Sequence, residues 1–136
     1  MQSVTLGSPS WLDAVRDAVN ASEDYRRAGA GWRWPLGIAF LDPDGEDRFA
    51  VLDLHDGELR DARPVARDDF ERAPFRLSGD VDRWENLILR GEDAMRCILL
   101  KHLRMEGDAL TALRYMPAAK ALLDAVSTVE VDVRVG

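Results

Sequence analysis

Across Gly29–Gly31 the spacing of the large apolar residues changes from alternating fours and threes to a strict two, so one unit must hold a helix followed by strands. Before the change, Trp11, Val15, Ala18, Ser22 and Tyr25 form a single stripe, with Asp13, Arg16, Asp17 and Arg26 on the opposite side. Ser8-Pro9 gives an N-cap followed by proline at the first helical position, and Ser10 with Asp13 is an overlapping signal. The spacing predicts one helix from there to the glycines. After the change, Trp32, Trp34, Leu36, Ile38 and Phe40 share one strand face, opposite Arg33, Pro35, Gly37 and Ala39. Pro35 has no N–H to donate, so the strand is at an edge there or begins its regular pairing after it.

Turn chemistry divides the middle of the chain. Asp42-Pro43-Asp44-Gly45 is a turn, Phe49–Leu54 a second strand, His55-Asp56-Gly57 a tight connection and Glu58–Arg63 a third strand, an antiparallel meander stopped by Pro64. A polar link containing Arg67-Asp68-Asp69 leads to a fourth strand at Ala73–Ser78, with Phe75 and Leu77 on one face. Trp84, Leu87 and Ile88 mark a short helix that Asp80 or Asp82 caps and Gly91 ends. A second helix carries Ala94, Met95, Ile98 and Leu99, and His102–Met105 reads as another strand before Gly107-Asp108. The last helix spans Ala109–Val126, lined by Leu110, Leu113, Met116, Ala119, Leu123 and Val126, and Pro117 kinks it or starts its second half. Valines alternate with charges over Val129–Val135, which predicts a further strand. With no internal repeat and no long hydrophilic linker, residues 1–136 are expected to form one domain.

The charge balance narrows the partners. A net charge of −7, with basic residues scattered singly among acids, leaves no positive stripe for a phosphate backbone, so nucleic acid is not an expected partner. The same sign opposes docking on an anionic leaflet and leaves apolar contact as the means of any visit to a membrane. Cys97 is the only cysteine, the usage of a reducing compartment, and a cytoplasmic location is expected. Met1–Pro9 lacks the pattern of a secretion signal, and the apolar run Trp34–Leu41 is far short of the roughly 20 residues a bilayer span requires, so no transmembrane segment is expected.

Catalytic motifs are sparse. His55, His102 and Cys97 are not at metal-ligand spacing, and the Asp42, Asp44, Glu46 cluster suits a solvated turn, so no metal or cofactor is expected. There is no Gly-x-Ser-x-Gly elbow and no Walker loop, and Cys97 falls in an apolar helix where a thiol is inert. Asp53, His55 and Asp56 offer an acid–base pair, set against the ordinary polarity of a hairpin turn. Trp32-Arg33-Trp34 mixes aromatic and basic groups like a single-strand binder, but the shared face with Leu36, Ile38 and Phe40 favours burial. What remains is apolar capacity, with the methionines at 95, 105 and 116 suited to a variable surface.

In order along the chain, the helix opening with Trp11, the strand with Ile38-Ala39-Phe40, the Leu52–Gly57 hairpin, Trp84 with Leu87 and Gly91, and Leu103-Arg104-Met105-Glu106-Gly107-Asp108 before a leucine-rich helix resemble the prokaryotic sterol-carrier-protein-2 (SCP2) domains. The resemblance runs from Trp11 to Val126. It implies an α/β (α+β) fold: a five-stranded, mostly antiparallel sheet covered by helices on one face, enclosing an apolar tunnel for sterols, fatty acyl chains or isoprenoids, with no catalytic residues. Leu100, before Lys101, stands where such domains often have glycine, and the valine tail suggests an extra C-terminal strand. The expected function is non-catalytic lipid carriage, in a tunnel lined by Ile38, Phe40, Trp84, Leu87, Met95, Met105, Leu113, Met116 and Leu123. An alternative is a homodimeric accessory protein with a filled core, paired through Val129–Val135; a third reading is a small hydrolase or isomerase using His55 with Asp53 or Asp56.

Overall fold

Ser8 sets the start of α1 (Pro9–Ala21): its hydroxyl accepts from the Trp11 N–H at 3.2 Å. The computed structural model describes residues 7–90 and 93–129, apart from the side chains at 89, 90, 94, 95 and 99. The helix predicted as one piece is two. Ser22 takes an extended conformation and its hydroxyl accepts from the Tyr25 N–H at 3.1 Å, which starts α2 (Glu23–Ala28). A serine that reads as part of the stripe is thus a joint, and the buried residues of α1 are Trp11, Leu12, Val15 and Val19.

Among the described residues five strands form one sheet: β1 (Pro35–Leu41), β2 (Arg48–His55), β3 (Glu58–Val65), β4 (Phe75–Asp80) and β5 (Arg104–Glu106), in the spatial order β3-β2-β1-β4-β5. Among the described strands only β1 and β4 pair in parallel, so the sheet is mostly antiparallel, as expected. β1 lies at its centre. Its first residue is Pro35, opposite Asp53, where the missing N–H is tolerated. The strand does not extend back to Trp32, because the Trp32 carbonyl accepts from the Asp56 N–H at 2.8 Å and its indole N–H donates to the Trp34 carbonyl at 2.7 Å.

The two faces of β1 explain the layers. Leu36, Ile38 and Phe40 are buried beneath the helices, with Phe40 against the rings of Trp11 and Trp84 at centroid distances of 5.5 and 4.9 Å. Gly37 faces the other way, where an added Cβ would lie 2.8 Å from the Phe70 ring. Phe70 belongs to α3 (Arg67–Arg72), a short helix in the stretch expected to be a polar link. Phe49, opposite Ala39, meets the same ring at 5.2 Å, so a small second apolar cluster lies on this face.

The remaining helices are α4 (Val81–Arg90), α5 (Ala94–Leu99), α6 (Ala109–Arg114) and α7 (Met116–Val126). The strand expected at His102–Met105 begins at Arg104, because the residues before it close α5. Lys101 N–H donates to the Ile98 carbonyl at 3.1 Å and His102 N–H to the Cys97 carbonyl at 2.8 Å, the paired bonds of a Schellman motif. The left-handed position falls on Lys101, with φ +60°, not on Leu100. The last predicted helix is also two, broken at Tyr115 with Pro117 in the first turn of α7. Of the tail expected as a strand, Val129 is buried against the core and 130–135 lie outside the described residues.

The edge of β3 is guarded by a side chain. The Asn20 amide nitrogen donates to the Leu59 carbonyl at 2.9 Å, and its oxygen accepts from the Leu59 N–H at 2.8 Å, as a neighbouring strand would. Replacing Asn20 with Leu leaves both Leu59 groups unpartnered and is expected to cost about 1–3 kcal/mol in urea unfolding. Lys101→Gly is expected to raise stability by about 0.5–1 kcal/mol, since glycine adopts positive φ without steric cost.

Candidate ligand-binding site

Beneath α7 the side chains do not quite meet. An apolar void of about 30 Å³ lies between Leu36, Leu54, Leu77 and Met105 of the sheet and Ala118, Ala119, Leu122 and Leu123 of the helix. Sheet register sets its floor, with Leu77 opposite Ile38 on one side and Met105 on the other. The alanines of α7 are too short to fill the space above. Tyr25, Trp32, Ala112 and Tyr115 complete the wall. The volume is about that of one water in the liquid, against roughly 300–1,000 Å³ for sites that hold small-molecule ligands. Burial in the same region holds the Tyr25 hydroxyl far above its ordinary pKa, so it stays neutral.

An aromatic rim borders the void. Trp32 meets Trp34 at 5.1 Å and Tyr115 at 5.3 Å, each nearly perpendicular, and packs on Phe75 at 4.5 Å. Asp56 anchors the segment that carries these tryptophans: its carboxylate accepts from the Gly31 N–H at 3.0 Å and from Arg33 Nε at 3.3 Å. The hairpin tip makes this reach by adopting positive φ at both Asp56 (49°) and Gly57 (83°). An added Cβ on Gly57 would come within 2.4 Å of the Arg26 carbonyl oxygen, so the tip sits directly against the end of α2.

Residues 38–120, well over half the chain, match the SCP-2 sterol transfer family. The chain belongs to this family. Its architecture agrees with a crystal structure of a sterol carrier protein 2, at 25% identity and a TM-score of 0.79 over 91% of this chain and 98% of that one. A Thermus thermophilus protein described as a candidate sterol carrier is 24% identical, with the same TM-score over 100% and 97% of the two chains. The apo form of sterol carrier protein 2 from Yarrowia lipolytica shares the fold at 15% identity, with a TM-score of 0.59 over 93% and 96%. No curated protein matches the sequence. Family and fold together support lipid or sterol carriage in general.

Of the residues expected to line a tunnel in an SCP2 domain, the void brings together Met105 and Leu123. Phe40, Trp84, Ile38 and Leu87 are buried in the continuous core, where the Trp84 indole N–H donates to the Ala39 carbonyl at 3.0 Å. Leu113 is 69% exposed and Met116 half-buried, on either side of the break at Tyr115 between α6 and α7. The Met95 side chain lies outside those described. The lining that sequence reasoning missed divides in two. Leu36, Leu54 and Leu77 were legible as inward strand positions, whereas Ala118 and Ala119 bear no mark that separates a cavity wall from filler.

Other features are less suited to an apolar guest. A groove of about 880 Å³ separates α1 and α2 from α7, with an alanine floor and a charged rim of Asp24, Arg27, Lys120 and Asp124. His55 Nε2 lies 3.4 Å from Asp56, while Asp53 is engaged by Arg60 at 3.2 Å. Among the described residues no three or more His, Cys, Asp or Glu side chains are grouped to hold a metal, and no helix is long and apolar enough to cross a membrane.

The Gly31 N–H, together with Arg33, holds the Asp56 carboxyl below the ordinary carboxylate range. A depressed folded-state pKa contributes stability that is present above the unfolded value of about 3.9 and is lost as pH falls through the folded value. Tryptophan fluorescence is therefore expected to report loosening of the Trp32–Trp34 rim only at pH below about 4. Asp56→Ala is expected to show that loosened signal already at neutral pH, and Asp56→Asn, which keeps an acceptor for Gly31, a smaller change.

Proposed function

We propose that this chain acts as one cytoplasmic domain that carries an apolar lipid, a fatty acyl chain, sterol or isoprenoid, in the space beneath α7 without transforming it. The observation that carries this reading is the combination of an apolar void with a thin cover: Ala112 of α6 borders the void, yet α6 has no buried residue. A helix so weakly held can move at small cost, since little apolar surface is lost from the interior when it does. Rotation at the Tyr115 break opens the space between α6, α7 and the sheet from one water's volume to that of a lipid chain.

Met105 and Leu123 then touch the ligand from floor and roof, and Leu113 and Met116 reach it as α6 turns. Ile38, Phe40, Trp84 and Leu87 serve as the packed base that keeps its shape. Binding draws on transfer from water at about 25 cal/mol per Å² of apolar surface, so hiding some 300 Å² of chain supplies about 7 kcal/mol before the costs of opening and ordering. No polar contact is needed for that sum, and the result is broad selectivity among lipids.

Delipidated protein titrated with a fluorescent fatty acid and a fluorescent sterol tests this. Uptake of at least one of them with micromolar affinity or better is expected, and an interior that admits neither excludes the reading. Ala118→Leu fills the void and is expected to weaken uptake at least tenfold, at a cost of about 1–3 kcal/mol in stability from overpacking. Leu123→Ala enlarges it and is expected to lose about 2–5 kcal/mol while retaining or improving uptake per folded molecule.

A further inference from the structure

We propose that α6 and Trp34 form a surface that docks on an electrically neutral lipid bilayer, setting the mouth of the cavity against the lipid; this rests on the carrier reading above. Leu110 and Leu113 are 79% and 69% exposed, on the same side of α6 three residues apart. Thr111 and Ala112, smaller and less apolar, are the half-buried residues of the same helix. This inverts the arrangement of a helix built to face water, which turns its leucines inward and its small polar residues outward. Trp34, 36% exposed, adjoins them through Tyr115, whose ring lies 6.2 Å from its own and which directly succeeds α6.

The patch is continuous with the cavity wall, since Ala112 and Tyr115 border the void from behind it. That continuity selects the occupant. An apolar guest that leaves a bilayer through this mouth stays out of water only when the mouth is pressed to the lipid, whereas a protein seated on the same patch would block the passage. Leucines and a tryptophan, with Arg114 at the end of the helix and the exposed Arg33 beside Trp34, suit the interfacial zone of a membrane. The net charge of −7 opposes an anionic surface, so the partner is a zwitterionic one held by apolar contact.

The test compares the full chain with Leu110→Asp, at a position given no part in holding the guest, in three measurements: flotation with phosphatidylcholine vesicles, uptake of a fluorescent fatty acid in vesicle-free solution, and sedimentation velocity. The inference is supported when the variant takes up the probe like the parent but binds vesicles at least tenfold more weakly, both proteins sediment alike, and added anionic lipid does not strengthen binding. Equal vesicle binding by the two proteins overturns it, as does tenfold tighter binding to anionic vesicles. A parent that self-associates while the variant does not makes the patch a contact between copies and also overturns it. Failure of both proteins to take up the probe, with leucine-dependent vesicle binding intact, sinks the carrier reading and leaves the docking surface standing.

Discussion

Phe40 is the wedge on which the helical layer closes. It projects from the central strand, and the rings of Trp11 and Trp84 converge on it from α1 and α4. All three are at most 1% exposed. Each such side chain contributes roughly 1.5–3 kcal/mol by leaving water, and each aromatic pair adds about 0.5–1.5 kcal/mol. The Trp84 indole fixes the direction of α4 by its bond to the Ala39 carbonyl, so one residue supplies both apolar mass and orientation. With the sheet anchored at this end, the other end, around Trp32 and Leu77, is where looseness can be accommodated.

The molecule therefore divides its apolar residues between two tasks. Large rings and leucines around Phe40 are buried in the core, whereas the alanines of α7 stand over the sheet and leave a small void. A void that small is ordinary in a packed interior. What sets it apart is its neighbour α6, a helix that keeps its leucines in water and has no fully buried residue. An apolar floor beside a helix with no fully buried residue is the arrangement on which the proposed carriage rests.

Fold class was legible because period two and period three-and-four patterns are local. The meander over residues 49–63, the turn at Asp56-Gly57 and the helix around Trp84 all lie where short-range spacing puts them. Errors of continuity came from residues that can serve either an element or its end: Ser22 caps instead of continuing, and His102 and Leu103, expected to open a strand, close α5. For the site, Met105 and Leu123 of the predicted lining border the void, and Tyr25, Trp32 and Tyr115 are drawn to it only by the folding of distant segments.

By itself the sequence determined the order and kind of most elements, the inward positions of β1 and β4, and through its ordered motifs the family. Those properties arise from backbone periodicity and turn stereochemistry, which act over a few residues. Only the tertiary structure decided which apolar residues pack solidly and which border a space, that α6 turns Leu110 and Leu113 outward, and that Asp56 ties the tryptophan segment to the hairpin. These depend on how far apart packed elements settle and how a helix is rotated about its axis, quantities fixed by contacts between residues remote in the chain.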